Sequence, residues 1–298
     1  MDEAAWIEQY IAPLVTSPGA DGLQDDVALL TARGPIIATM DTLVEGRHFL
    51  STDPISTIGQ KLVRVNVSDI HAKAAEPLEA LLSIAWPDGR SEQDFAALMA
   101  GLGGDLAAFE ISLIGGDLVG HDGPLTLTLT LTGRCIGKGP IRRRGGKPGH
   151  ALYINGEIGW GGIGLKAAQR GVDANAALRY QVPEISPRSA ARLVAETASA
   201  SMDVSDGLLL DASRLAKASG CGVTVNLERV PLASPSAEID EILAQCTAGD
   251  DYRILISAAP GLEIQGFTAI GKLTESPGLE LLFEGQRVNP PSTLGFEH

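Results

Sequence analysis

At 298 residues the chain is longer than one hydrophobic core normally serves, and two domains are expected. A hydrophobic share of 44% with 20% charged residues excludes a disordered chain, and a formal net charge of −14 argues against nucleic acid as a partner, because phosphate backbones demand Lys and Arg. No apolar run reaches the ~18 residues of a membrane span, the start at Met1 lacks a leader pattern, and Cys135, Cys221 and Cys246 show no zinc or disulfide spacing, so no membrane association, reduced thiols and a cytoplasmic location are expected. Residues 35–40 form a short apolar run ending in Asp41, consistent with a buried strand. Helical spacing covers about 55–75, interrupted by a polar patch at 66–69. A strand at 79–86 leads through the turn residues Pro87, Asp88 and Gly89 to a helix over 91–109, with Ser91 as its N-cap. An apolar strand at 111–114 runs into Gly115, Gly116 and Asp117, read as a turn. Residues 125–132 alternate Leu and Thr without exception, which predicts a strand with one apolar and one hydroxyl face.

Glycine, proline and basic residues concentrate over 137–149, so the boundary is placed to give domains 1–137 and 138–298. Beyond it a strand at 151–154, a glycine-rich turn into a helix over 159–170, and helices over 187–199 and 205–220 are predicted, the last stopped by Gly220. Shorter strands follow near Val223, Ile254, Ala269 and Leu281. Helices and strands mix in both halves, so each domain is α/β or α+β.

Five short motifs each deliver an Asp to the end of an apolar run, as at the end of a strand: Asp25-Asp26, Asp41, Asp69, Asp117, and the Asp203 to Asp206 pair in Met202-Asp203-Val204-Ser205-Asp206. An unpaired carboxylate is costly to bury, and hard divalent cations are its natural partners. Mg²⁺ is held by a few carboxylates together with substrate phosphates, so the set reads as Mg²⁺-dependent phosphate chemistry. Asp41 is followed by a hydroxyl residue, Thr42. Asp69 stands in a helical context where Asn66 and Ser68 compete with the backbone and so need a reason. Gly115 and Gly116 allow a phosphate to approach the backbone before Asp117. Ser205 or Asp206 would cap a helix whose N-terminus favours anions, with Asp203 just upstream. One arginine of Arg142, Arg143 and Arg144 suits a polyphosphate clamp, the others being solvated. His48 is a structural residue, a substrate contact or a base, and Asp250-Asp251 is a late acidic pair. Neither a Walker-type nor a protein-kinase motif is present.

The ordered set of Asp25-Asp26, Asp41 to Val44 followed by His48-Phe49, Asn66 to Asp69, Gly115 to Asp117, Arg143 to Gly149, Met202 to Leu208 and Gly249 to Tyr252 resembles the thiamine-monophosphate kinase family over nearly the whole chain. The resemblance implies the fold of aminoimidazole ribonucleotide synthetase and selenophosphate synthetase, with an N-terminal sheet domain that dimerises and a C-terminal α/β domain that completes the active site. It also implies ATP-dependent phosphorylation of thiamine monophosphate to thiamine diphosphate, with several Mg²⁺ ions and a homodimer. By position, Asp26, Thr39, Asp41, Asp69, Asp117, Asp203 and Asp206 match the family's metal ligands. Gly116, Asp117, Arg143 and Ser205 match its nucleotide contacts, and His48, Asp250 and Phe296 line the thiamine phosphate. Arg143, Asp41 and Asp206 are the residues expected to act most directly on the transferred phosphate. Departures from the usual pattern are Gln24 for Gly, Met40 for a small hydroxyl residue, Leu118 for Thr and Asp250 for Glu. Gln24, Met40 and Asp250 prompt the alternative of a silent nucleotide- or thiamine-phosphate-binding regulator. Another ATP-using enzyme of the superfamily is disfavoured, because the first cysteine is Cys135 and no cysteine-bearing tail is present.

Overall fold

The computed structural model describes residues 3–23, 28–30 and 33–296. The chain divides into two compact units, Met1–Ile70 with Glu76–Cys135, and His71–Ala75 with Ile136–His298. In the first unit a short helix α1 (Glu3–Trp6) and irregular turns precede β1 (Ile36–Val44), α2 (Ile55–Ala72), β2 (Ala75–Pro87), α3 (Glu92–Ala108), β3 (Ser112–His121) and β4 (Thr126–Cys135). The four strands are ordered β1-β4-β2-β3, with β1 and β4 antiparallel and β2 and β3 parallel. A parallel pair needs a crossover, and α3 supplies it. Its start is fixed by a capping box: Asp94 N–H donates to Ser91 Oγ while Ser91 N–H donates to Asp94 Oδ2.

The Leu/Thr alternation becomes the two faces of β4. Leu127, Leu129 and Leu131 are fully buried, whereas Thr126, Thr128, Thr130 and Thr132 are half-buried. Helices α2 and α3 contribute Leu62, Val67 and Ile70, and Leu98 and Leu102, to the buried core. Phe95 of α3 packs among three aromatic rings, with centroids 4.7 Å from Trp6, 5.1 Å from Trp86 and 5.7 Å from Tyr10.

The second unit contains β5 (Ala151–Asn155), α4 (Trp160–Arg170), α5 (Ala174–Gln181), α6 (Arg188–Thr197), β6 (Ala198–Val204), α7 (Leu208–Ala218), β7 (Gly222–Asn226), α8 (Ile239–Cys246), β8 (Arg253–Ala258), β9 (Phe267–Thr274), β10 (Leu279–Phe283) and β11 (Gln286–Val288). Its seven strands are ordered β11-β10-β7-β9-β5-β8-β6. Strand alternation divides β8 between two cores. Leu255 packs with Met202 and the α7 residues Leu208 and Leu215, while Ile254 and Ile256 pack with Val194 of α6. Both faces of this sheet are therefore covered, and the mixed α/β character expected of each half is what the chain adopts. Among the described residues no helix is long and apolar enough to cross a membrane.

Three local expectations are corrected. Asp41 and Asp203 do not end their strands but lie within them. Gly115, Gly116 and Asp117 are not a turn: they continue β3 past a register shift against β2. Gly116 is required there because a Cβ would fall 1.8 Å from the carbonyl oxygen of Leu82. Finally, α7 begins at Leu208 and its N-cap is Gly207, without a side-chain cap from Ser205 or Asp206. The amides of Ser205 and Asp206 instead donate to the Asp211 carboxylate.

Phe95→Ala should destabilise the protein by ~3–5 kcal/mol, because a fully buried ring is lost from a closed aromatic cluster. Urea unfolding of the two proteins measures this, and a loss below about 1 kcal/mol would mean that the cluster collapses freely around the gap.

Candidate active site

In the first unit, strand alternation places Thr39 and Asp41 on the same face of β1. They sit opposite the buried Leu131 and Leu129 of β4, so their face is the one turned to the core. Asp69 reaches the same place from α2, where it accepts a hydrogen bond from Thr39 Oγ1. Burial, reinforced by the neighbouring Asp69 charge, pushes the Asp41 carboxyl up to about 6. Among the described residues neither carboxylate has a basic partner. Two half-buried carboxylates and a hydroxyl form an all-oxygen donor set whose repulsion a hard cation relieves, and this chemistry fits Mg²⁺.

The structure does not gather the whole expected ligand set. Asp117 is exposed on β3 and, with Gly116, lines a cleft of about 510 Å³ whose other walls include Met40, Leu81, Ser83, Thr128 and Thr130. Thr39, Asp41 and Asp69 are not among the residues lining it. Asp26 lies outside the described residues. Among the described residues no three carboxylate, His or Cys side chains come close enough to hold a metal by themselves. Substrate phosphate oxygens and water would have to complete any Mg²⁺ shell, as is usual for this ion.

His48 stands on the loop after β1. Its Nδ1 accepts the Val44 N–H at 3.0 Å, which places the proton of a neutral ring on Nε2. The buried Lys61 of α2 holds this loop by donating to the His48 carbonyl at 2.9 Å.

In the second unit the turn at 204–206 is a hub. Ser205 N–H and Asp206 N–H each donate to Asp211 Oδ2 at 3.1 Å, and Arg214 donates to Asp211 Oδ1 at 3.0 Å while also pairing with Asp206. Asp211 is fully buried, and burial raises its carboxyl above the ordinary value. The carbonyls of the same turn are used as well. Tyr252 N–H donates to Val204 O at 2.7 Å, Asp250 N–H to Ser205 O at 2.8 Å and Phe296 N–H to Asp206 O at 2.8 Å. Asp203, just upstream on β6, is buried.

The acidic pair at 250–251 separates into two roles. Asp250 accepts a hydrogen bond from Tyr252 Oη at 2.8 Å, whereas Asp251 turns inward to accept Gly159 N–H at 2.9 Å and Gly161 N–H at 3.1 Å at the start of α4. Burial pushes the Asp251 carboxyl up to about 7, against the pull of those two amides. Gly161 is obligatory, since a Cβ would fall 2.2 Å from Gly249 O and 2.7 Å from Asp250 Cβ. Asp250 and Tyr252 themselves have φ of 58° and 51°, conformations that cost a non-glycine residue on the order of 1–3 kcal/mol and cluster at functional sites.

Arg142, Arg143 and Arg144 are all exposed. Their backbone is anchored, with Arg142 O accepting Ser201 N–H at 2.9 Å and Arg143 O accepting Ser219 Oγ at 3.2 Å. Exposure does not separate Arg143 from its neighbours. Sequence reasoning missed Asp211, Arg214 and Lys61. An Asp on the apolar face of a helix with Arg three residues later was the available signal for the first two.

The family model for the AIR synthase related protein, N-terminal domain, matches residues 24–135, and that for the C-terminal domain matches 147–284. A thiamine-monophosphate kinase of Caulobacter vibrioides is 38% identical over 98% of this chain and 89% of its own length. One of Leptospira interrogans is 31% identical over 98% of this chain and 97% of its own. The crystal structure of the Stenotrophomonas maltophilia thiamine-monophosphate kinase superposes with a TM-score of 0.80 at 27% identity, covering 97% of this chain and 98% of that one. AaThiL complexed with AMPPCP and TMP superposes with a TM-score of 0.75 at 25% identity, covering 87% of this chain and 86% of that one. With family matches along most of the sequence and relatives above 30% identity over nearly all of it, the chain belongs to the AIR synthase related family and, within it, to the thiamine-monophosphate kinases.

Proposed function

We propose that this protein phosphorylates thiamine monophosphate with ATP as donor, the γ-phosphoryl group passing directly and in line onto the acceptor phosphate. The observation that carries the reading is the repulsive Asp41–Asp69 pair with Thr39, found in a chain of this family. The pairing of AMPPCP and TMP in the AaThiL complex supports the choice of substrates. An acceptor phosphate is already ionised near neutral pH, so no strong base is needed, and the obstacle is repulsion between two polyanions. Mg²⁺, when bound, supplies charge neutralisation at the phosphate oxygens. Several Mg²⁺ ions are proposed, with Thr39, Asp41 and Asp69 as one group of oxygen donors, Asp117 as another in the first unit, and Asp203 and Asp206 as donors in the second; Asp26 is part of the same proposal.

Gly116, Asp117, Ser205 and Arg143 are assigned to the nucleotide, where the Arg143 guanidinium offers paired charge-assisted bonds that strengthen as charge builds on the leaving oxygen. His48, Asp250 and Phe296 are assigned to the acceptor. His48 contacts it rather than acting as a base, since Nδ1 is already engaged. A carboxylate at Asp250 suits the cationic thiazolium ring, and Phe296, 47% exposed, offers a flat apolar surface. A cytoplasmic setting belongs to the same reading and is supported by three buried free cysteines. The two domains are proposed to divide at 137/138. The active form is proposed to be a homodimer joined through the first unit's sheet, on the face where Met40 and Leu81 remain 63% and 44% exposed.

Asp41→Asn and Asp69→Asn should each lower kcat by about a hundredfold or more with circular dichroism unchanged. Wild-type rates at limiting Mg²⁺ would remove the residue from the ligand set. Because Asp41 is protonated below about pH 6, Mg²⁺ binding to the nucleotide-free protein should weaken as pH falls from 7 to 5, with uptake of the ion releasing a proton. The effect on metal-free stability has the opposite sense: a raised carboxyl contributes stability below its ordinary value of 3.8 that is lost as pH rises through about 6. Calorimetry across that range, with Asp41→Asn as a flat control, reads both.

Arg143→Ala should lower kcat about a hundredfold with modest change in KM, whereas Arg142→Ala should do little. Equal effects on both, seen in steady-state kinetics, would mean that the basic run acts diffusely.

Light scattering at micromolar concentration should give a dimer, and Leu81→Arg should give a folded monomer. A monomeric wild type overturns the proposed assembly.

A further inference from the structure

We infer that Asp211 is a positioning residue for the acceptor end of the site, acting through the 204–206 turn on Asp250 and Phe296. A fully buried carboxylate must find partners for its oxygens, and Asp211 finds two of them in the amides of Ser205 and Asp206 and a third in Arg214. This replaces the side-chain cap that α7 lacks. With both amides held from one side, the Val204 and Ser205 carbonyls that share their peptide planes are aimed to the other, where they receive the amides of Tyr252 and Asp250; Asp206 O, in the next peptide of the turn, receives that of Phe296.

The segment so held is a strained one. Asp250 and Tyr252 are in the left-handed region, and such conformations persist only where the surroundings over-determine them. The bonds that Val204 O and Ser205 O accept from Tyr252 N–H and Asp250 N–H are part of that determination, and the Tyr252 hydroxyl on Asp250 depends in turn on the Tyr252 backbone. Phe296 is tied to Asp206 O through its backbone amide. Arg214 adds a second hold, since it pairs with both Asp211 and Asp206 and so ties the side chain of the turn to the group that fixes its backbone. Asp211 touches neither substrate in this account; it sets where two substrate-facing residues stand.

The kinetic part of this inference rests on the proposed function, and the structural part does not. Hydrogen exchange followed by mass spectrometry on the full-length protein tests the structural part. In Asp211→Ala the amides of Asp250, Tyr252 and Phe296 should exchange faster, by about tenfold or more, while strands β5 and β9 keep wild-type protection. Asp211→Asn retains one acceptor oxygen and should fall between wild type and Asp211→Ala, and it carries the test where the alanine variant does not fold. Unchanged protection at the three amides, or a uniform increase that includes β5 and β9, overturns the inference. For the kinetic part, Asp211→Asn should raise the KM for thiamine monophosphate about tenfold. Combined with Phe296→Ala, the two effects should fall short of multiplying, because both act through one contact. An unchanged KM, or full multiplication, overturns the acceptor-side role. If wild-type protein transfers no phosphate to thiamine monophosphate, the proposed function fails, and the exchange result still decides whether Asp211 holds the turn.

Discussion

The burial of Asp41 on the core face of β1, beside Asp69, is the constraint on which the candidate site of the first unit depends. Two carboxylates placed on a core-facing surface raise the energy of the fold unless something neutralises them. Strand register decides whether they meet at all. Asp41 lies across from Leu129, and the Leu/Thr alternation of β4 makes any one-residue slip expensive by turning three buried leucines outward. With the β4 leucines held inward, a one-residue slip of β1 would instead carry Asp41 to the opposite face. The apolar pattern of β4 thus specifies the position of a charged group on its neighbour.

Charge is handled differently in the second unit. Asp211 and Asp251 are buried, yet both are surrounded by backbone amides that a carboxylate can accept from. Each ties down the start of a helix, and each thereby orients a loop. Asp251 fixes the approach to α4, against which the loop at 249–250 packs so closely that Gly161 admits no side chain. Asp211 fixes the approach to α7. These two carboxylates are structural ties, while beside them Asp206 pairs with Arg214 and Asp250 accepts the Tyr252 hydroxyl.

Much of this was legible in the residues. The alternation of β4, the Ser91 cap, the polar patch on α2 and the mixed character of both halves all follow from local periodicity or capping chemistry, which act over a few residues. Asp41 and Asp69 were singled out from sequence, but the hydroxyl contact joining Thr39 to Asp69 spans 30 positions and needed the fold. Misreadings arose where tertiary contacts override local signals. Gly115 and Gly116 carry turn composition, yet they serve a bulged parallel pairing in which β2 leaves no room for a Cβ at Gly116. Ser205 carries cap composition, yet a carboxylate from within α7 takes its amide. Helices α5 and α8 are eight residues each, too short for periodicity to announce them.

The departures from the usual family pattern can be weighed against this geometry. Met40 faces away from Thr39 and Asp41, on the side of β1 where Thr42 meets Thr128, so its side chain subtracts no donor from the Asp41–Asp69 pair. Leu118 is buried beside the exposed Asp117, which makes it a packing residue. Asp250 has a φ of 58°, a conformation in which a short Asp side chain is better accommodated than a longer Glu, and its carboxylate is steadied by the Tyr252 hydroxyl. None of these three positions removes a group on which phosphoryl transfer would depend. The physical case for a silent binding protein therefore loses two of the observations that prompted it, Met40 and Asp250, and Asp41 beside Asp69 keeps its cost of burial wherever no cation neutralises it.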